Sequence, residues 1–244
     1  MTAGEMSARV LQRLDEIEPG ATVPAAVYYG GPGEVLDALN EGQRLFCLLT
    51  LCLQTQAQFP LTPNVGFYHA RSVFNDWLLP FGVTLPGGRK VRPARLEELD
   101  ALDTNWQSAT DTAPERYAAL GFDFLAFYPK LASGSLSVNV SYARSPVTMT
   151  SSGDVPEIPV HCQPALIDYA IPRLRMKEGG QEFAKTLPLF NRYLDVAQKH
   201  GKYVQAQNAG ARYDKQPFEL ELFDRSRLLK LRPDLVPGRA IANG

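Results

Sequence analysis

Residues 116–142 read RYAALGFDFLAFYPKLASGSLSVNVSY. The second half alternates strictly. Leu136, Val138, Val140 and Tyr142 fall on one side, and Ser137, Asn139 and Ser141 on the other. A period of two marks a strand, because successive side chains point to opposite faces. Residues 116–128 also alternate, around Gly121, and 129–134 carry turn-forming types. The pattern predicts an antiparallel β-hairpin in which 116–128 and 135–142 pair across 129–134, with the apolar set buried. That excludes an all-helical chain.

Upstream, 95–103 (RLEELDALD) predicts a short helix with Leu96, Leu99 and Leu102 facing inward, followed by Trp106. Proline and glycine punctuate 59–93, which reads as short strands and extended loops. A helix is expected over 33–55. Its first half is amphipathic and its second half, around LFCLLTLCL at 45–53, is apolar nearly all round. Such a helix must be covered on every side. A first helix is expected from Ser7, as its cap, to Ile17, ended by Pro19-Gly20.

Downstream, 148–159 reads as a polar linker. Residues 160–177 predict a helix that Pro172 kinks or interrupts. After Gly179-Gly180, residues 182–206 predict a longer helix with Phe183, Leu187, Phe190, Leu194 and Ala197 on its buried face and Pro188 as a second offence against helix rules. The expected fold class is therefore α+β: a helical bundle formed by N- and C-terminal helices, an antiparallel β-rich insertion and an extended C-terminal arm. The segments are 1–58 and 160–208 for the bundle, 59–159 for the insertion and 209–244 for the arm.

Composition limits function. The 244-residue chain is 45% hydrophobic, enough for a packed core, with a formal net charge of −1. No global positive field draws it to nucleic acid or anionic membrane. No signal peptide is evident, and the longest apolar run is far below the ~20 residues that span a bilayer. Cys47, Cys52 and Cys162 read as free thiols. No P-loop occurs, and the glycines of 29–33 read as a helix-start turn. Cys47 and Cys52, five apart on the expected helix, do not share a face well. His161 and Cys162 are adjacent and point two ways, while His69 and His200 lie elsewhere. These spacings predict no metal, no cofactor and no catalytic group, although a Cys162–His69 pair is left open. The carboxylates Glu97, Glu98, Asp100 and Asp103 read as a solvated helix face.

Three segments together resemble the head-to-tail adaptor family of tailed bacteriophages. The first is EVLDALNEGQRLFCLLTLC at 34–52, similar to the family's long N-terminal helix. The second, 96–146, holds LDALD at 99–103 and Trp106. Phe127-Tyr128-Pro129 and, after a turn, LSVNVSY at 136–142 follow in the family's order. The third, VPEIPVHCQPALIDYAIPRLRMKE at 155–178, is similar to its linker and helix. The resemblance covers about residues 33–200 and implies a virion neck protein, made in the host cytoplasm, without catalysis or cofactor. It implies a ring of copies, commonly twelve, between the portal protein and tail or nozzle proteins, with DNA passing through unbound and no membrane partner. Another neck or tail-completion protein is the alternative, and a virion-associated hydrolase a more distant one.

Within 209–244, large apolar residues are scattered among charges and prolines, too sparse for a core of their own and too many for water. Phe218, Leu220, Leu222, Phe223, Leu228 and Leu229 are therefore expected to dock on the portal or on neighbouring adaptors. Arg225, Arg227, Lys230 and Arg232 would pair with acidic portal residues.

Overall fold

The computed structural model describes residues 1–21, 28–29 and 31–207. In chain order they form α1 (Ala3–Arg13), α2 (Gly31–Thr50), β1 (Gln54–Leu61), β2 (Phe67–His69), β3 (Trp77–Thr84), β4 (Lys90–Pro93), α3 (Leu96–Leu102), β5 (Thr110–Asp111), β6 (Arg116–Leu120), β7 (Phe124–Tyr128), β8 (Lys130–Leu131), β9 (Leu136–Arg144), α4 (Pro164–Arg175) and α5 (Gly180–Gln207). Short 3₁₀ turns occupy Ala70–Ser72 and Val160–Cys162.

Helix ends are set by chemistry that only partly shows in the sequence. Thr2, not Ser7, caps α1. Its side chain accepts from Glu5 N at 3.2 Å while Glu5 accepts from Thr2 N at 2.9 Å. This reciprocal box satisfies two orphan N–H groups, and Ser7 is buried inside the helix. α2 stops at Thr50, short of the expected 55, because Leu51 turns left-handed (φ +53°) and donates to Cys47 O at 2.8 Å. That cap usually carries glycine or asparagine, so a leucine there gives no warning. In α3 only Leu99 is deeply buried, and Leu102 is exposed.

α4 is the inner helix. Every residue from Ala165 to Pro172 is buried, against α1, α2 and α5. Neither proline breaks its helix: α4 runs through Pro172 and α5 through Pro188. Each removes one backbone hydrogen bond, a loss that packing offsets at Pro172. Close approach is fixed by Gly42 of α2, where a Cβ would lie 2.8 Å from Tyr169 Cδ1 of α4. Tyr193 Oη of α5 donates to Gly42 O at 2.8 Å. The buried face of α5 carries Thr186, Tyr193, Ala197, Gly201 and Val204. Leu187, expected on that face, is exposed, because the contact with Gly42 sets the helix rotation through Tyr193.

Among the described residues the strands form a seven-stranded sheet, ordered β1-β9-β3-β4-β6-β7-β2, and a two-stranded one, β5-β8. The expected hairpin pairs the wrong strands. β6 turns back at Gly121 (φ +59°) and pairs with β7, Arg116 opposite Tyr128. Glycine accepts that left-handed conformation without a Cβ clash. β9 instead lies between β1 and β3, Val140 opposite Ala57 and Val83. Residues 130–131 divert the chain into β8, which pairs with β5. The alternation itself holds: Val138, Val140 and Tyr142 are buried and Leu136 packs beside them. Phe74, Trp77 and Tyr142 stack, with both Phe74–Tyr142 and Trp77–Tyr142 centroids at 4.9 Å.

The expected polar linker is a strap laid along the helices. Asn40 of α2, almost wholly buried, donates to Met149 O and accepts from Met149 N, both at 2.8 Å. Gln43 donates to Val147 O at 3.1 Å and accepts from Glu157 N at 2.9 Å. Two side-chain amides thus satisfy strap backbone that would otherwise be buried unpaired. Arg144, ending β9, grips Glu157 through two bonds of 2.9 and 2.8 Å. The strap also completes α1, whose Ala3 and Gly4 N–H groups donate to Asp154 O and Ser152 O at 2.7 and 2.8 Å.

The strap turn is held by Asp154, whose carboxylate accepts from Thr150 N at 2.7 Å, Ser151 N at 2.9 Å and Ser151 Oγ at 2.8 Å. These donors, backbone N–H groups first, hold the carboxyl down at about 2. A depressed folded value means that the contribution is complete above the unfolded value of ~4 and is lost as pH falls through the folded one. Thermal melts from pH 5 to pH 2 should therefore show a smaller acid-induced loss of stability in Asp154→Asn than in the wild type; equal slopes would contradict the assignment. Gly42→Ala should destabilise by about 1–3 kcal/mol in denaturant titration, because overpacking at Tyr169 exceeds the ~1 kcal/mol that alanine gains in helix propensity.

Candidate interfaces and a histidine–cysteine cluster

β2 ends the seven-stranded sheet and pairs with β7 alone among the described residues. Beside it the surface is apolar. Phe67, Phe122, Phe124 and Val73 are exposed. His69 meets Phe124 edge-on at 5.0 Å, and Phe67 leans on buried Trp106 at 5.6 Å. His69 is thus part of this sheet edge, away from the Cys162 partnership left open above. Trp77 Nε1 donates to Phe122 O at 2.9 Å and Arg71 pairs with Asp123 at 2.8 Å, which fixes the β6–β7 turn in place. An apolar edge whose strand pairs on one side only among the described residues is a surface that another chain can cover.

A second surface is basic. Parallel pairing of β4 with β6 sets Arg92 opposite Arg116, and Arg89 and Lys90 line the same cleft, with Glu115 the one acid lining it among the described residues. The run 89–92 (RKVR) is visible in the sequence, but Arg116 joins it only through strand pairing. The cations of another cleft, between α1, α4 and α5, are largely internally matched. Asp168 of α4 accepts from Arg13 at 3.2 Å and also from Arg192, while Arg175 pairs with Glu178 and Lys185 with Glu182.

The acidic run on α3 performs structural work. Glu98 accepts from Arg95 N at 3.3 Å, Asp100 from Trp106 Nε1 at 2.7 Å, and Asp103 from Asn105 N at 2.8 Å. Glu97 is exposed.

His161, Cys162 and His200 converge, although the sequence reading kept them apart. One ligand-type atom from each lies within 4.8 Å of the others. The 3₁₀ turn before α4, closed by Cys162 N donating to Pro159 O at 2.8 Å, presents the first two. α5 presents His200, with its ring stacked on Phe46 at 5.9 Å and 5.4 Å from that of His161. Burial, and then His161, push His200 below the usual imidazole range. Burial pushes the Cys162 thiol up to about 11. Cys47 is hydrogen-bonded to Cys52 and buried, which raises it and keeps it a thiol. Since α2 ends at Thr50, that pair joins a helix to the segment after it and does not lie along one helix. Only the adjacency of His161 and Cys162 signalled the cluster; the contribution of His200 depends on how α5 packs.

The arm residues Phe218 to Arg232 lie outside the described residues. Among those described, no helix is long and apolar enough to cross a membrane. No curated protein matches the sequence significantly. The model of the SU10 adaptor protein family matches residues 1–213, extending the 33–200 resemblance to include α1 and its cap. A match that takes in both ends of the helical core, the whole sheet and the strap places this chain in the SU10 adaptor protein family, a family of phage head-to-tail adaptors.

Proposed function

We propose that the chain is a non-catalytic virion subunit that forms a ring, of the family's usual twelve copies, between portal and tail, with DNA passing through its channel. The family match over residues 1–213 carries this reading. The apolar edge at Phe67, Phe122 and Phe124 supports it. One patch docking on a different patch of the next copy is a heterologous contact, and such contacts close into rings when the rotation allows. In this reading 1–58 and 160–208 form a helical bundle, 59–159 a projecting insertion and 209–244 a docking arm. Phe218, Leu220, Leu222, Phe223, Leu228 and Leu229 would seat on portal or neighbour, and Arg225, Arg227, Lys230 and Arg232 would meet acidic portal groups. The partners are other copies, portal, and tail or nozzle proteins. DNA is surrounded without being gripped, as the net charge of −1 allows.

Electron micrographs of the purified protein, alone and mixed with portal, should show rings in at least the mixture; single subunits in both would overturn the proposal. Phe67→Ser combined with Phe124→Ser should lower the melting temperature yet leave a cooperative melt, and should abolish the rings. A truncation ending at Gly210 should melt cooperatively like the full chain yet fail to co-sediment with portal. Full-strength portal binding by the truncated chain would remove the role given to the arm.

A further inference from the structure

The geometry of His161, Cys162 and His200 points to a site for a borderline-soft divalent ion of the zinc class, which would pin the end of α5 to the turn that precedes α4. Two imidazoles and one thiolate form a donor set that suits zinc and excludes the oxygen-seeking magnesium and calcium. The ligand-type atoms already lie within 4.8 Å of one another. Metal–ligand bonds of about 2.0–2.3 Å require them to close only slightly, and the exposed His161 side chain is free to move that far.

The surroundings prepare the site. Cys162 is held from below, almost fully buried, by the 3₁₀ turn. His200 is flanked by Phe46 at 5.9 Å and Tyr203 at 6.1 Å, which limit its ring orientation. Among the described residues neither imidazole hydrogen-bonds to a neighbour, so both have nitrogen lone pairs to offer. Gly201 lets α5 approach α2 here: a Cβ at that position would lie 3.4 Å from Leu49 O. On binding, the metal–sulfur bond replaces the S–H bond of Cys162 and the thiol proton passes to water. Three protein ligands leave a fourth position for water or for a group from another chain. The effect would be structural, holding α5 against the turn that precedes α4.

The test uses full-length protein without a histidine tag, titrated with Co²⁺ as a spectroscopic probe and then with Zn²⁺. One Co²⁺ per chain should bind with a thiolate-to-cobalt charge-transfer band that Zn²⁺ abolishes. His161→Ala and His200→Ala should each weaken binding by more than about tenfold, the lower end of what losing even an outer-shell partner causes. Cys162→Ser should abolish the charge-transfer band, and Cys47→Ser with Cys52→Ser should leave it intact. Zn²⁺ should also raise the melting temperature of the wild type, reversibly with a chelator, and not that of His161→Ala. His161 is exposed, so that variant keeps the test decisive even if Cys162→Ser fails to fold. Absence of Co²⁺ binding at micromolar metal, or a band that survives Cys162→Ser and disappears with Cys47→Ser and Cys52→Ser, would overturn the site.

Discussion

A charged residue in the middle of a buried helix constrains this structure more than any other feature. Asp168 is 5% exposed, on the helix that the other long helices surround. A carboxylate there must be paired, because leaving it unpaired costs several kcal/mol. Its partners come from opposite ends of the described chain, Arg13 on α1 and Arg192 on α5. Both guanidinium groups are half exposed, so solvent screens much of their attraction. The requirement to be paired therefore decides more than the strength of either bond: α1 and α5 must both reach α4 at the level of Asp168.

The same logic governs the strap. Its backbone passes over apolar helix surface, where unpaired N–H and C=O groups would be costly. Asn40 and Gln43 are placed on α2 to satisfy them, and this explains two buried amides in an otherwise apolar surface. The strap then connects the two large hydrophobic clusters. Glu157 holds Arg144 at the end of β9, while its own N–H donates to Gln43. Sheet and helices are thus linked by hydrogen bonds through the strap.

Among the described residues, the two candidate partner surfaces belong to the sheet. The apolar edge at β2 and the basic cleft at β4 and β6 are both built by strand pairing, whereas most apolar residues of the helices pack on each other, with Leu187 and Tyr203 of α5 left exposed. The histidine–cysteine cluster lies instead among the helices, beside Gly201 and Phe46.

Whatever depends on neighbours a few residues away was legible in the sequence. The alternation at Val138, Val140 and Tyr142 correctly assigned a strand and its buried face, and the spacing of hydrophobic residues located all five helices, to within a few residues at most ends. The order of the three resembling segments pointed to the family. Tertiary structure decided the rest. Nothing in the alternation of β9 says whether it pairs with β7 or lies between β1 and β3, because its apolar face is satisfied equally by either. Leu187 and Tyr193 both lie on α5, and packing against Gly42, Phe46 and Tyr169 buries Tyr193 while Leu187 stays exposed. Leu51 stops α2 with a backbone conformation its side chain does not advertise. His200 reaches Cys162 only because α5 folds back along α2 and α4. Periodicity is a local property of the chain, whereas pairing, helix rotation and ligand convergence are free-energy differences shared by residues far apart in sequence.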